Sequence, residues 1–204
     1  MLFVCICNKK NMKNLAVFAS GSGTNAENIA KYFAGNQSVK VVLAVSNNPL
    51  AGVHARMNRL GIPSVNFSNR EFADGDKIVE KLAEYQTDWI ILAGFLKKIP
   101  ETIRNAYPGK VINIHPALLP NYGGKGMYGM RVHEAVVAAG DGESGITIHY
   151  VNENYDEGQI IFQASCPVLP SDTPEDVASK VHALEYIHYP EVIETLALTM
   201  NNEQ

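Results

Sequence analysis

Five short apolar runs limit what this chain can fold into: LAVFAS (15–20), VVLAVS (41–46), SVNF (64–67), WIILAG (89–94) and VINIH (111–115). Each is too short for a helix of ordinary length and too continuous for a strand with one wet face. Strands apolar on consecutive residues are covered on both sides, the condition of a parallel sheet. Between them AENIAKYFAG (26–35), GVHARMNRLG (52–61) and REFADGDKIVEKLAEY (70–85) carry apolar residues at helical spacing, with Gly35 and Gly61 as stops. The alternation predicts a mostly parallel, twisted sheet with helices on both faces.

The pattern changes after Pro120. NYGGKGMYGM (121–130) is too rich in glycine for a regular element. GITIHYVNE (145–153) and GQIIFQASCPVL (158–169) read as two strands joined at NYDEG, an antiparallel hairpin added to the sheet. The chain closes with a long helix, for which Ser171 or Asp172 is the expected cap and Pro174 the first turn. With no repeats and no linker, a single domain is expected over 12–204. Residues 1–11 read as an extension, disordered or mis-started.

Composition excludes several partners. The 204 residues carry a net charge of -4 with no Lys/Arg run, whereas a nucleic-acid groove needs a basic stripe. No apolar stretch approaches the ~20 residues of a membrane span. The three cysteines lack zinc or CxxC spacing, so reduced thiols and a cytoplasmic location are expected. No pair of carboxylates is spaced for a metal, and no serine sits in a nucleophile elbow.

Three stretches can carry chemistry. SGSGTN (20–25) joins a strand to a helix, where glycines admit a ligand and the helix amides attract a phosphate. It lacks the third glycine of a dinucleotide fingerprint, and VVLAVSNN supplies no acid for a ribose. That favours a monophosphate; a tight turn with no ligand explains the glycines about as well. In VINIH, Asn113 and His115 share one strand face at a carboxyl end, where α/β sheets collect ligands. An amide and an imidazole there can hold an oxyanion and move a proton. A satisfied core histidine is the even alternative. Asp156, in YDEG, acts on them only if the hairpin tip folds back; its carboxylate would then favour the imidazolium. His182 and Glu185 lie one helical turn apart and could face the cleft together, though a solvated face is their default. His133, His149 and His188 are read as structural. Arg70, Lys97 and Lys98 are the cations near loop ends.

Together, NIHPALLP (113–120), YDEG (155–158), AGF (93–95) and SGSGTN (20–25) resemble the phosphoribosylglycinamide formyltransferase family, from about Lys13 to the last helix. The resemblance implies a formyltransferase, Rossmann-like fold. It also implies transfer of the formyl group of 10-formyltetrahydrofolate to the amine of 5′-phosphoribosylglycinamide (GAR), the third step of de novo purine synthesis. Asn113, His115 and Asp156 fall on the catalytic positions. In that reading Asn113 and protonated His115 donate to the oxyanion, His115 protonates folate N10, and Asp156 keeps the imidazole charged. Gly23, Thr24 and Asn25 fall on the phosphate loop; His182, Ala183, Leu184 and Glu185 fall on the helix segment near the glycinamide. Arg70, Leu96, Lys97, Lys98, Ile99, Asn113, Asn152, Glu153, Asn154, Tyr155 and Asp156 fall on folate positions. No metal is implied, and a monomer or homodimer is expected. The loop 121–130 is longer than usual for the family, and Lys97-Lys98 replaces a single basic residue, which bears on lid motion and folate affinity.

Two rivals share the trio, formyltetrahydrofolate deformylase and methionyl-tRNA formyltransferase, but both are expected to need a further domain. A non-catalytic nucleotide-binding module would explain SGSGTN and leave the trio unexplained.

Overall fold

In the computed structural model, which describes residues 12–199, successive side chains of the central strands enter two different cores. The extension expected over 1–11 lies outside the described residues. The elements are β1 (Lys13–Phe18), α1 (Thr24–Tyr32), β2 (Val39–Ser46), α2 (Gly52–Arg59), β3 (Ser64–Asn66), α3 (Asn69–Asp74) and α4 (Asp76–Glu84). There follow β4 (Trp89–Leu92), α5 (Glu101–Ala106), β5 (Val111–His115), α6 (Met130–Ala139), β6 (Glu143–Tyr150), β7 (Ile160–Pro167) and α7 (Pro174–Thr199).

Leu15 and Val17 of β1, with Trp89 and Ile91 of β4, pack under Ile29 of α1, Met57 of α2, Val136 of α6 and Val181 of α7. Ala16 and Phe18, with Ile90 and Leu92, turn the other way onto Phe72 of α3, Leu82 of α4 and Ile103 of α5. Burial on both faces is why these strands read as unbroken apolar runs. Removing a methylene of such side chains from water is worth about 0.8 kcal/mol, so the pattern fixes the layering.

The seven strands run in the order β3-β2-β1-β4-β5-β6-β7. β1 to β5 are parallel, while β5–β6 and β6–β7 pair antiparallel. Winding reverses between β1 and β4, which opens a crevice beyond their carboxyl ends. Tyr189 of α7, fully buried, donates to the carbonyl of Leu92 at 2.9 Å and stands 3.3 Å from that of Ile112. The phenol therefore ties the last helix to the ends of β4 and β5, at about 1 kcal/mol per bond.

The helical stretch expected over 70–85 is two helices, not one. Gly75 adopts φ 92 between them, and a Cβ there would meet Thr102 at 3.0 Å. α5 and α6 add to the expected helices. α6 follows Gly129 and has no side-chain cap, so only its stop, Gly140 at φ 71, marks it. The cap of α7 is Thr173 rather than Ser171 or Asp172. Its hydroxyl accepts from the amide of Asp176 at 3.2 Å while its own amide donates back to that carboxylate at 2.9 Å. Asp172 instead binds the amide of Leu169 and the ammonium of Lys180.

Candidate functional site

The crevice is a cleft of about 690 Å³, floored by the ends of β1, β4 and β5. One wall is the turn Gly21–Asn25 leading into α1. Gly23, at φ 75, lies so close to α2 that a Cβ would stand 2.6 Å from Val53. That glycine therefore serves helix packing at least as much as ligand approach. The carbonyls of Gly21 and Ser22 accept from the amide of Val53 and Nε of Arg56, which turns two acceptors toward α2. An anion at this helix start would then meet unpaired amides. Ser20 ties the turn to β4: its hydroxyl donates to Asn47 at 2.7 Å and accepts from the amide of Leu96 at 2.9 Å.

The opposite wall holds the expected trio. Asn113 and His115 share a face of β5, and the hairpin tip brings Asp156 over them. Asp156 sits at φ 58, and Gly158 permits the fold-back because a Cβ there would lie 1.6 Å from the carbonyl of Tyr150. Oδ2 of Asp156 is 3.6 Å from Nδ1 of His115 and accepts from the amide of Gly124 at 2.9 Å. Nε2 of His115 faces the carbonyl of Tyr122 at 2.8 Å. A carbonyl only accepts, so Nε2 carries hydrogen and Nδ1 is the nitrogen left toward Asp156 and the cleft.

His149, read from sequence as structural, completes the group. The β5–β6 register sets it directly opposite Asn113, and residues opposed across an antiparallel pair share a face. Nδ2 of Asn113 donates to Nε2 of His149 at 3.1 Å and to Oδ1 of Asp156 at 3.5 Å. Nδ1 of His149 faces the carbonyl of Tyr150 at 2.9 Å.

The charge state differs from expectation. Burial of His115 lowers its pKa by more than the Asp156 carboxylate raises it, so the free imidazole is held neutral rather than charged. Burial acts on Asp156 in the raising direction, but the imidazoles of His149 and His115 and the amide of Gly124 outweigh it and keep the carboxylate ionised.

Glu185 of α7 is buried and also reaches the cleft. It accepts from Nδ2 of Asn25 at 2.9 Å and pairs with Nδ1 of His182 at 2.8 Å. This contact raises the pKa of His182 against the opposing effect of burial. His133 of α6 also lines the cleft. It is buried, its Nδ1 has no partner, and burial lowers its pKa.

The remaining expected positions divide cleanly. Gly23, Thr24, Leu96 and Tyr155 line the cleft. Ala183 is exposed and Leu184 packs against the core, so neither faces it. Ile99 is buried in the second core, while Arg70, Lys97, Lys98, Glu153 and Asn154 are exposed and Asn152 half-buried, all outside the lining. The cations that do line it are Lys125 and Arg131, from the glycine-rich segment and the start of α6; Arg131 lies over the Tyr128 ring at 5.1 Å. Among the described residues no group of three His, Cys, Asp or Glu is placed to hold a metal, and no helix is long and apolar enough to cross a membrane.

Residues 13–193 match the formyl transferase family. A phosphoribosylglycinamide formyltransferase of Arabidopsis thaliana, named as chloroplastic, is 44% identical over 189 residues, 89% of this chain and 64% of that protein. The chain thus spans less than two thirds of that relative. One of Bacillus subtilis is 38% identical over 94% of this chain and 97% of its own. Among solved structures, the phosphoribosylglycinamide formyltransferase of Bacillus halodurans superposes with a TM-score of 0.84 at 34% identity, covering 94% of this chain and 98% of that one.

Proposed function

The chain belongs to the formyl transferase family, and on that premise we propose that it transfers the formyl group of 10-formyltetrahydrofolate to the amine of GAR, giving formyl-GAR. The observation that carries this reading is the meeting of Asn113, His115 and Asp156 in the wall of the cleft, with Nδ1 of His115 3.6 Å from the carboxylate. The names of the relatives support the same acceptor.

In the proposed reaction, neutral His115 accepts a proton at Nδ1 from the amine nitrogen as the new N–C bond forms and the formyl oxygen takes up negative charge. The imidazolium so made faces Asp156, which stabilises it. His115 then gives that proton to N10 while the C–N10 bond breaks and the oxyanion collapses to the amide carbonyl. One proton leaves one nitrogen and arrives on the other, so the step balances with no metal. Both hydrogens of Asn113 Nδ2 are engaged, and the longer bond, 3.5 Å to Asp156, is the one an oxyanion would replace.

Gly23, Thr24 and Asn25 would hold the substrate phosphate at the start of α1. His182 and Glu185 would meet the glycinamide, with Leu96, Asn113, Tyr155 and Asp156 on the folate side.

The test mixes the protein with GAR and 10-formyltetrahydrofolate and follows the folate absorbance and formyl-GAR. Formation of formyl-GAR is expected. Release of formate from the folate alone, with no transfer to GAR, would overturn the reading in favour of a deformylase.

A further inference from the structure

Asp141 takes no part in the chemistry described so far. It stands just past Gly140 at the end of α6, beside a separate cavity of about 220 Å³ rather than in the cleft. Oδ2 of Asp141 accepts the hydroxyl of Tyr122 at 2.5 Å. Beside that carboxylate the phenol is harder to ionise than usual, so it remains a donor.

Tyr122 is itself unusual. Its φ of 55 is a left-handed conformation that L side chains rarely adopt, so the surrounding contacts must hold it there. In that conformation its carbonyl meets Nε2 of His115 at 2.8 Å. One end of Tyr122 is thus fixed to Asp141 and the other fixes the imidazole. The ring also packs against the core, but the bond to Asp141 is the directional contact that sets where the phenol sits; without it the left-handed backbone is freer to relax and draw the carbonyl away from Nε2.

We propose that Asp141 is a positioning residue for formyl transfer: through the Tyr122 hydroxyl it holds the Tyr122 carbonyl against His115 Nε2, so that Nδ1 is the nitrogen offered to the reacting atoms. This rests on the reading of His115 as the proton carrier. A role confined to anchoring the glycine-rich segment is a different claim. That segment lines the cleft and has a second tether, the Gly124 amide on Asp156, so slackening it would act on substrate binding.

The experiment compares the wild-type chain with Tyr122→Phe, Asp141→Ala, Asp141→Asn and the Tyr122→Phe/Asp141→Ala double variant. It reads kcat, the KM of each substrate and the ¹⁵N shifts of the His115 ring, with melting curves to confirm folding. The expected result is a ~10-fold loss of kcat in Tyr122→Phe and in Asp141→Ala. The double variant should be no worse than either single change, as for two parts of one linkage. KM should stay within about twofold. Asp141→Asn, whose amide oxygen still accepts the phenol, should recover most of the lost rate. The wild-type ring should show the Nε2–H tautomer, and Tyr122→Phe a mixture.

A His115 ring that keeps the Nε2–H tautomer in Tyr122→Phe overturns the proposal, and so does a rise in KM at unchanged kcat. If the wild-type protein transfers no formyl group, the functional reading fails, while the tautomer comparison still decides whether Asp141 and Tyr122 hold the ring.

Discussion

Two imidazole–carboxylate pairs of the cleft, His115–Asp156 and His182–Glu185, have environments that shift their histidines in opposite directions. His115 has 4% of its side chain exposed and stands 3.6 Å from Asp156; His182 has 51% exposed and lies 2.8 Å from Glu185. Burial dominates the first pair and lowers the histidine's pKa, whereas direct contact dominates the second and raises it. An acid near a histidine does not by itself make an imidazolium, because desolvation is weighed against attraction. The buried pair is suited to take up a proton and release it. The half-exposed pair is suited to hold a fixed charge pattern against a ligand.

The comparison breaks most sharply under alanine substitution. His115→Ala should lower kcat by ~10²–10⁴, the usual span for a group that moves protons in the transition state. His182→Ala should leave kcat within about twofold and raise the KM for GAR by about threefold, the scale of a half-exposed ion pair. Steady-state kinetics of the two variants check this; equal losses of kcat would erase the distinction between the pairs.

Asp156→Asn sharpens the buried side. In the free enzyme the neutral imidazole is the active form, so kcat/KM should rise with pH through an apparent pKa below the ordinary 6.5. Asp156 raises the pKa of His115, so its removal should move that limb to still lower pH. The plateau should fall as well, by ~10–10³, because the imidazolium intermediate loses its counter-charge. A limb that stays in place would show that the two side chains do not interact.

How much of this was legible in the sequence follows from what pairs with what. The two-sided strands were readable because each central residue is buried on whichever face it meets. The Asn113–His115 face was readable because alternation along one strand is local. His149 was not, although ITIH (146–149) mirrors INIH (112–115). Its nearness to Asn113 depends on the register between β5 and β6, which connects residues 36 apart. Asp156 and the direction of its pull on His115 were both readable, but the net charge state was not, since burial of the imidazole outweighs that pull. Tyr122 and Asp141 gave no motif, because one acts through a carbonyl and the other through a phenol. Arg70 and Lys97-Lys98 sit nearer the expected strand ends, yet it is Lys125 and Arg131 that line the cleft. The glycine-rich segment carries its cations into the cleft by a path that periodicity does not describe.

The smallest expected effect is on stability, and it separates the two pairs by sign. His115 and His133 are both held below the ordinary value of 6.5 by burial. The folded chain therefore binds fewer protons than the unfolded one at these sites. Their stabilisation is complete above pH 6.5 and is lost as the pH falls below it toward their folded pKa values. His182 runs the other way, because its pKa is raised. Its contribution is complete below pH 6.5 and disappears as the pH rises through the folded value. The melting temperature of the wild-type protein should accordingly fall between pH 7 and pH 5. In His182→Ala it should fall more steeply, since the one opposing histidine of the three is gone. The increment should be small, because a half-exposed pair is worth ~0.2–1 kcal/mol at most. A shallower acid slope in His182→Ala than in the wild type would mean that Glu185 does not hold His182 charged, and the contrast between the two pairs would rest on burial alone.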